Sequence, residues 1–333
     1  VVASCGEYFE CSRKQQCSAL IARQARLVGC VYVTHWSNRT AELPNMNRSY
    51  EGFRILLVHA HPDDETINNG ATMALYADRG AHVTLVTCTR GEEGEVLVPS
   101  LSHLASSQKD QLGTHRETEL ADAMKALGIS DYRFLGAPSV KFRDSGMMGT
   151  EPNNRPDVFW QADVDTAAKI LVEIIDEVKP HILITYDEIG GYGHPDHIQA
   201  HRVAMRASEL STWQIQKIYW NTMPKSVLAE GISKMKEIGS DFFGAESVDD
   251  LPFAKDDEFV TTLINGVDYV DAKMAAMKAH ETQISLDGPF FALSNNLGLQ
   301  IWGDEYYTLV KGVKSEPFDS HGRETDLTSG ITL

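Results

Sequence analysis

From Phe53 onward, apolar runs of strand length alternate with stretches where apolar positions recur every three or four residues. Ile55-Leu56-Leu57-Val58 centres an apolar run over 54–59, the mark of a strand buried on both faces. A helix is predicted over 69–79, closed by Gly80, and residues 82–89, rich in Val and Thr, read as a second strand. The Arg90-Gly91-Glu92-Glu93-Gly94-Glu95 stretch is too rich in Gly and Glu for either element and reads as a loop at the carboxyl edge. A long amphipathic helix is expected over 105–127, with Leu112, Leu120, Met124 and Leu127 on its buried side, then a strand over 132–135. Residues 136–156 hold three prolines and no period, which suits a substrate-facing lid. The next units are a helix over 163–178 stopped by Pro180, a strand over 181–186, a helix over 194–209 and a strand over 217–221.

Beyond Met223 the pattern weakens. It predicts a helix over 224–237, a polar stretch over 239–257, a strand over 258–264 and a helix over 271–282. Residues 302–310 read as a last strand or a mixture, and the tail from Lys314 as polar and peripheral. Strand and helix alternating over short connections predict an α/β fold, a doubly wound parallel sheet with right-handed crossovers.

Composition narrows the function. With 42% apolar and 23% charged residues, the 333-residue chain is an ordinary globular one. Its net charge of -17 repels phosphate backbones and anionic lipid, so no nucleic-acid and no membrane partner is expected. No apolar run approaches the roughly 18–20 residues of a membrane span. Nothing in the sequence fixes an oligomeric state.

Residues 1–45 differ from the rest, with five basic against three acidic side chains and four of the five cysteines. Those cysteines lack the paired spacing of a zinc site, and Arg23 and Arg26 interrupt the only candidate for a secretory core. The segment is expected to be a disordered upstream extension outside the folded domain. Cys88 alone belongs to the core, and one buried thiol fits a reducing, cytoplasmic setting.

The candidate chemistry lies at two turns, each between a predicted strand and a helix. The first is His59-Ala60-His61-Pro62-Asp63-Asp64-Glu65 and the second is Gly190-Gly191-Tyr192-Gly193-His194-Pro195-Asp196-His197. In an open parallel sheet such turns lie at the carboxyl edge, where ligands bind. Imidazole with carboxylate suits a metal. His61 and Asp64 supply two ligands, and the third comes from His194 or His197. Three protein ligands and an open position are the pattern of a catalytic zinc. Asp63, beside Asp64 but aimed elsewhere, is then the natural general base. His194 is a candidate proton donor to the departing amine or a charge stabiliser, with Asp196 orienting its ring, and Tyr192 a candidate donor to the oxyanion. Taken singly, each has a plainer explanation: Asp63 or Asp64 a helix cap, His197 a helix residue, Tyr192 a packing residue.

Together the two turns resemble the LmbE-like/PIG-L family of zinc-dependent N-deacetylases, over about 54–327. Within the family, the stretches 86–89, 91–96, 143–147, 190–194 and 292–297 look most like its mycothiol-biosynthesis branch, which removes acetate from N-acetylglucosaminyl-inositol. The resemblance implies a Rossmann-like core over 46–222 and a smaller C-terminal α/β portion over 223–333 that completes the substrate site. It implies Zn2+ held by His61, Asp64 and His197, with Fe2+ or Co2+ tolerated by the same donors. It assigns Asp63 as base, Tyr192 and His194 as assistants and Asp196 as the partner of His194. It points to Arg116, Asp144 and Glu95 as contacts of a small amino-sugar inositol substrate. One rival keeps the chemistry and changes the substrate, to a mycothiol S-conjugate or another N-acetyl sugar. Another, a non-catalytic nucleotide-binding module, requires a glycine fingerprint after the first strand, where the chain has His-Ala-His-Pro-Asp-Asp instead.

Overall fold

The computed structural model describes residues 48–237, 239, 244–285 and 303–333. The chain divides between Leu43 and Pro44, and all the described residues belong to the larger unit. The expected N-terminal extension lies outside them, as does the 292–297 stretch.

Five parallel strands form the heart of the sheet: β1 (Arg54–His59), β2 (His82–Thr87), β3 (Asp131–Phe134), β4 (Ile182–Thr185) and β5 (Lys217–Asn221). The linking helices are α1 (Asp64–Asp78), α2 (Leu112–Leu127), α3 (Val164–Val178) and α4 (Pro195–Leu210). Side chains alternate along each strand, so each buried strand feeds two cores. Ile55, Leu57, Leu85 and Ile184 pack with Leu120 and Met124 on one face. Leu56, Val58, Val86 and Leu183 pack with Leu171, Ile175, Val203 and Ala204 on the other. Both faces are covered, as continuous apolar runs require.

Further on come α5 (Lys225–Glu237), β6 (Thr262–Asn265), α6 (Val270–Ala279) and β7 (Asp304–Lys311), and a separate two-residue pairing of Met223–Pro224 with Ala254–Lys255. The sheet runs β3-β2-β1-β4-β5-β7-β6, with β7 antiparallel to both β5 and β6. Residues beyond 222 thus extend the same sheet. No helix among the described residues is long and apolar enough to cross a membrane. The strand order places β1 beside β4, with Leu57 opposite Ile184. The chain winds away from this pair in opposite directions, so the turns after β1 and β4 open into one crevice.

The tail from Lys314, expected to be peripheral, sends Glu324 into the sheet. Its fully buried carboxylate meets Lys217 Nζ at 2.5 Å and accepts from Tyr219 at 2.9 Å and Thr262 at 3.1 Å. Removing one partner of a buried pair leaves an uncompensated charge. Glu324→Ala is therefore expected to cost about 3–5 kcal/mol, read as a lower urea midpoint with little change in slope.

Candidate active site

Three residues bring donor atoms together at the crevice, Asp64 with both of its oxygens. His61 emerges from β1, and its backbone N–H donates to Asp64 Oδ2 at 2.9 Å, folding the turn back on itself. Asp64 opens α1, where the helix dipole favours a carboxylate. His197 lies on the first turn of α4. His61 Nδ1 stands 3.3 Å from Asp64 Oδ2 and 3.3 Å from His197 Nε2, and His197 Nε2 stands 3.4 Å from Asp64 Oδ1. Metal–nitrogen bonds of about 2.0–2.1 Å in tetrahedral array have ligand–ligand edges of about 3.3–3.4 Å. The triangle fits a zinc-sized ion. His61, His194 and His197 also cluster within 4.8 Å, as do His61, Asp144, His194 and Asp196. His194 has one nitrogen engaged, its Nδ1 accepting the Asp196 N–H, whereas Asp64 turns its two oxygens to His61 and His197.

Neighbouring groups aim these rings. His197 Nδ1–H donates to Gly190 O at 3.2 Å, leaving Nε2 to face the triangle. Gly190 has φ 65°, and a Cβ there would come within 2.6 Å of the His197 Cβ, so the turn needs glycine. Tyr186 stacks on the His197 ring at 4.3 Å. Asp187 accepts the Gly191 N–H at 2.7 Å and is latched by Lys255 Nζ at 2.7 Å, tying down the turn that carries Tyr192.

Burial lowers the basicity of the His61 imidazole, but the Asp144, Asp196 and Asp64 carboxylates carry it well above its ordinary pKa. Burial raises the Asp64 pKa, and the His197 and His61 rings reverse this to hold it well below the usual carboxylate range. Such a nest of carboxylates around imidazole is a place for a cation. His194 is pushed down to about 3 by burial and by the His61 and His197 rings, so it is neutral near pH 7. As the N-cap of α4, its Nδ1 accepts the Asp196 N–H at 3.1 Å, which leaves the proton on Nε2.

Asp63 is the N-cap residue of α1, yet its side chain makes no capping bond. Its Oδ2 faces Arg116 Nη2 at 3.2 Å. Burial raises its pKa to about 6 against the pull of the Arg116 guanidinium, and the Asp64 charge adds to the rise. A carboxylate left out of both cap and triangle is free to take a proton.

One expectation needs correcting. The Asp196 carboxylate was expected to pair with the His194 ring. It accepts instead from His61 Nε2 at 3.2 Å and from the Ser145 N–H at 2.9 Å and hydroxyl. The cap explains the change: His194 lies over the Asp196 backbone N–H, and the side chain points away from it, towards the 143–146 loop. Asp196 thus completes a carboxylate–histidine pair behind His61.

Every other predicted site residue lines a cleft of about 780 Å³. Residues beyond 222 contribute Leu251, Phe253, Lys255 and Tyr306 to its walls. Tyr192 is half exposed at the mouth, its ring 4.9 Å from that of His197. The exposed Glu95 stands at the rim. Arg116 is buried, with its guanidinium committed to Pro62 O, Gly91 O and Asp63. The Asp144 carboxylate accepts from Gly146 N at 2.8 Å and Glu93 N at 3.1 Å, and lies 3.6 Å from His61 Nε2. Sequence reasoning missed Tyr186, Ser145 and the Glu65–His280 pair. Only the Glu in the first motif signalled any of them.

The profile of the PIG-L family, described as GlcNAc-PI de-N-acetylase, matches residues 56–208. The chain is 56% identical over 293 residues to the 1D-myo-inositol 2-acetamido-2-deoxy-α-D-glucopyranoside deacetylase 1 of Catenulispora acidiphila, covering 84% of this chain and 90% of that one. It is also 56% identical over 281 residues to the corresponding deacetylase of Acidothermus cellulolyticus, covering 84% of this chain and 95% of that one. A two-turn His/Asp site at the β1/β4 switch point and relatives this similar over most of their length lead to one assignment: the chain belongs to the PIG-L family of de-N-acetylases.

Proposed function

We propose that this chain is a cytoplasmic, zinc-dependent deacetylase that hydrolyses the acetamide of N-acetylglucosaminyl-inositol to glucosaminyl-inositol and acetate, a step of mycothiol biosynthesis. The observation that carries the chemistry is the triangle of His61, Asp64 and His197 with Asp63 beside it, whose side chain belongs neither to the triangle nor to a helix cap and is paired with Arg116. The substrate rests on the relatives, whose names specify this acetamido-glucopyranoside of inositol. The buried free thiol of Cys88 suits a reducing compartment.

His61, Asp64 and His197 would hold the ion; Zn2+ is the first choice, and Fe2+ or Co2+ fits the same donors. A metal bound there polarises a carbonyl and makes water nucleophilic near pH 7. Asp63 takes the proton that water loses as it attacks the acetamide carbon. Arg116, 3.2 Å away, keeps the carboxylate in place and favours its ionised form. The Asp63 carboxyl then passes that proton to the nitrogen as the C–N bond breaks, so that an amine and acetate leave, while neutral His194 stabilises the developing charge by donating a hydrogen bond from Nε2. The Tyr192 hydroxyl, on its glycine-flanked turn, donates to the oxyanion of the tetrahedral carbon. Asp144 and Glu95 contact the sugar and inositol end through the hydroxyls, Glu95 from the rim, and Arg116, at the floor of the cleft beneath Asp63, acts on that end of the substrate through the loop and carboxylate it holds.

Amine release from N-acetylglucosaminyl-inositol, a bimane-type mycothiol conjugate and free N-acetylglucosamine, side by side, tests the assignment. The first is expected to show the highest kcat/KM. A higher value for the conjugate would make the chain an S-conjugate amidase with the same site.

A further inference from the structure

Glu65 closes the first motif, and neither metal ligation nor proton transfer uses it. It is fully buried, with its oxygens divided between partners. Oε2 accepts the Asp63 backbone N–H at 3.0 Å. Oε1 accepts the Thr66 hydroxyl at 2.6 Å and meets His280 Nε2 at 3.0 Å. His280 lies just past α6, 215 residues along the chain, and is equally buried.

The residue so held is strained. Asp63 has φ 122° and ψ -34°, where an L side chain crowds its own backbone. The other described non-glycine residues with positive φ, Asp110 at 52° and Lys179 at 53°, sit near the ordinary left-handed well. Strain of this kind persists only where the surroundings over-determine it. The Asp63 carbonyl is tied by the N–H groups of Thr66 and Ile67, each at 3.0 Å. That fixes the rotation on one side of Cα. The rotation on the other side is φ itself, set by the Pro62–Asp63 peptide, whose N–H is bound to Glu65 and whose carbonyl is bound to Arg116.

We propose that Glu65, braced by His280, is a positioning residue: it holds the Asp63 amide so that the Asp63 carboxylate projects into the cleft beside the metal ligands and against Arg116. This rests on Asp63 as the base.

Three variants of the full chain, each loaded with zinc, test it by kcat, KM and metal stoichiometry. Glu65→Gln keeps an acceptor oxygen at the same reach and loses the charge. Glu65→Asp keeps the charge and stops one methylene short, and Glu65→Ala loses both. Holding the amide requires reach, so the Gln variant retains most of its kcat. The Asp and Ala variants fall about a hundredfold, the cost of an ångström-scale misplacement, with KM and bound metal unchanged. Should the Ala variant fail to fold, the Gln–Asp pair decides alone. Loss of turnover in the Gln variant, retention in the Asp or a folded Ala variant, or losses that track lost metal overturn the inference. Asp63→Asn, assayed alongside, separates the two claims. If it keeps its turnover, the base assignment fails; if it loses turnover while Glu65→Asp does not, the positioning role alone fails.

Discussion

Asp63→Asn is expected to bind its metal as the wild type does and to lose about 100- to 10,000-fold in kcat, the usual contribution of a general base. That corresponds to about 3–5 kcal/mol of barrier. The change is isosteric and leaves the Asp63 backbone bonds to Glu65, Thr66 and Ile67 in place, so the strained turn survives it. Its amide cannot take a proton. The ligand triangle is untouched, because no Asp63 oxygen belongs to its edges. Arg116 loses its ionic partner but keeps two backbone carbonyls, Pro62 O and Gly91 O. Metal stoichiometry and kcat measured on one preparation check the claim. Near wild-type turnover would show that another group removes the proton.

The inner strands β1 and β4 were legible because burial on both faces writes itself as a continuous apolar run; β5, predicted over 217–221, matches Lys217–Asn221. Helix starts were less so. The first helix was expected from residue 69, yet α1 begins at Asp64 and carries Asn68, Asn69 and Gly70, all poor helix formers, inside it. Tertiary bonds override the propensity. Buried Asn69 bonds His59 at 2.7 Å and Asn221 at 2.8 Å. Glu305 of β7 reaches across to accept the Ala71 and Thr72 N–H groups at 3.0 and 2.8 Å. Similarly, the helix expected over 105–127 begins only at Leu112, after Asp110 turns the chain with φ 52°. The strand expected over 258–264 begins at Thr262, and residues 302–310 gave no hint that β7 runs antiparallel to β5.

The site divides along the same line. The meeting of His61, Asp64 and His197 was legible because one strand-to-helix turn carries the first two and another the third, and the topology brings the two turns together. The partners of Asp196 and Glu65 were not. They depend on approaches between residues 135 and 215 positions apart, from which local pattern carries no signal. Arg116 shows the same limit: its position on α2 could be read, but not that it would turn beneath Asp63.

His197→Ala and His61→Ala should behave in the opposite way to Asp63→Asn. Losing an outer partner of a metal ligand typically weakens binding about 10–100-fold, so losing a ligand from a set of three should exceed about a hundredfold. Turnover should follow the lost metal. The fold offers a second readout, because an ion that binds only the native state raises its stability in proportion to the logarithm of free metal over Kd. Wild-type protein and Asp63→Asn should melt higher with added zinc and lower with chelator. The two His variants should melt at one temperature across the same series. His197→Ala should be the cleaner test, since His61 also accompanies Asp144 and Asp196, and its loss leaves those carboxylates without their imidazole. If the melting temperature of His197→Ala still climbed with zinc at wild-type concentrations, the ion would have to lie on the other side of His61, among Asp144, His194 and Asp196. Asp63 would then no longer stand next to the metal, and the assignment of the base would fall with that of the ligands.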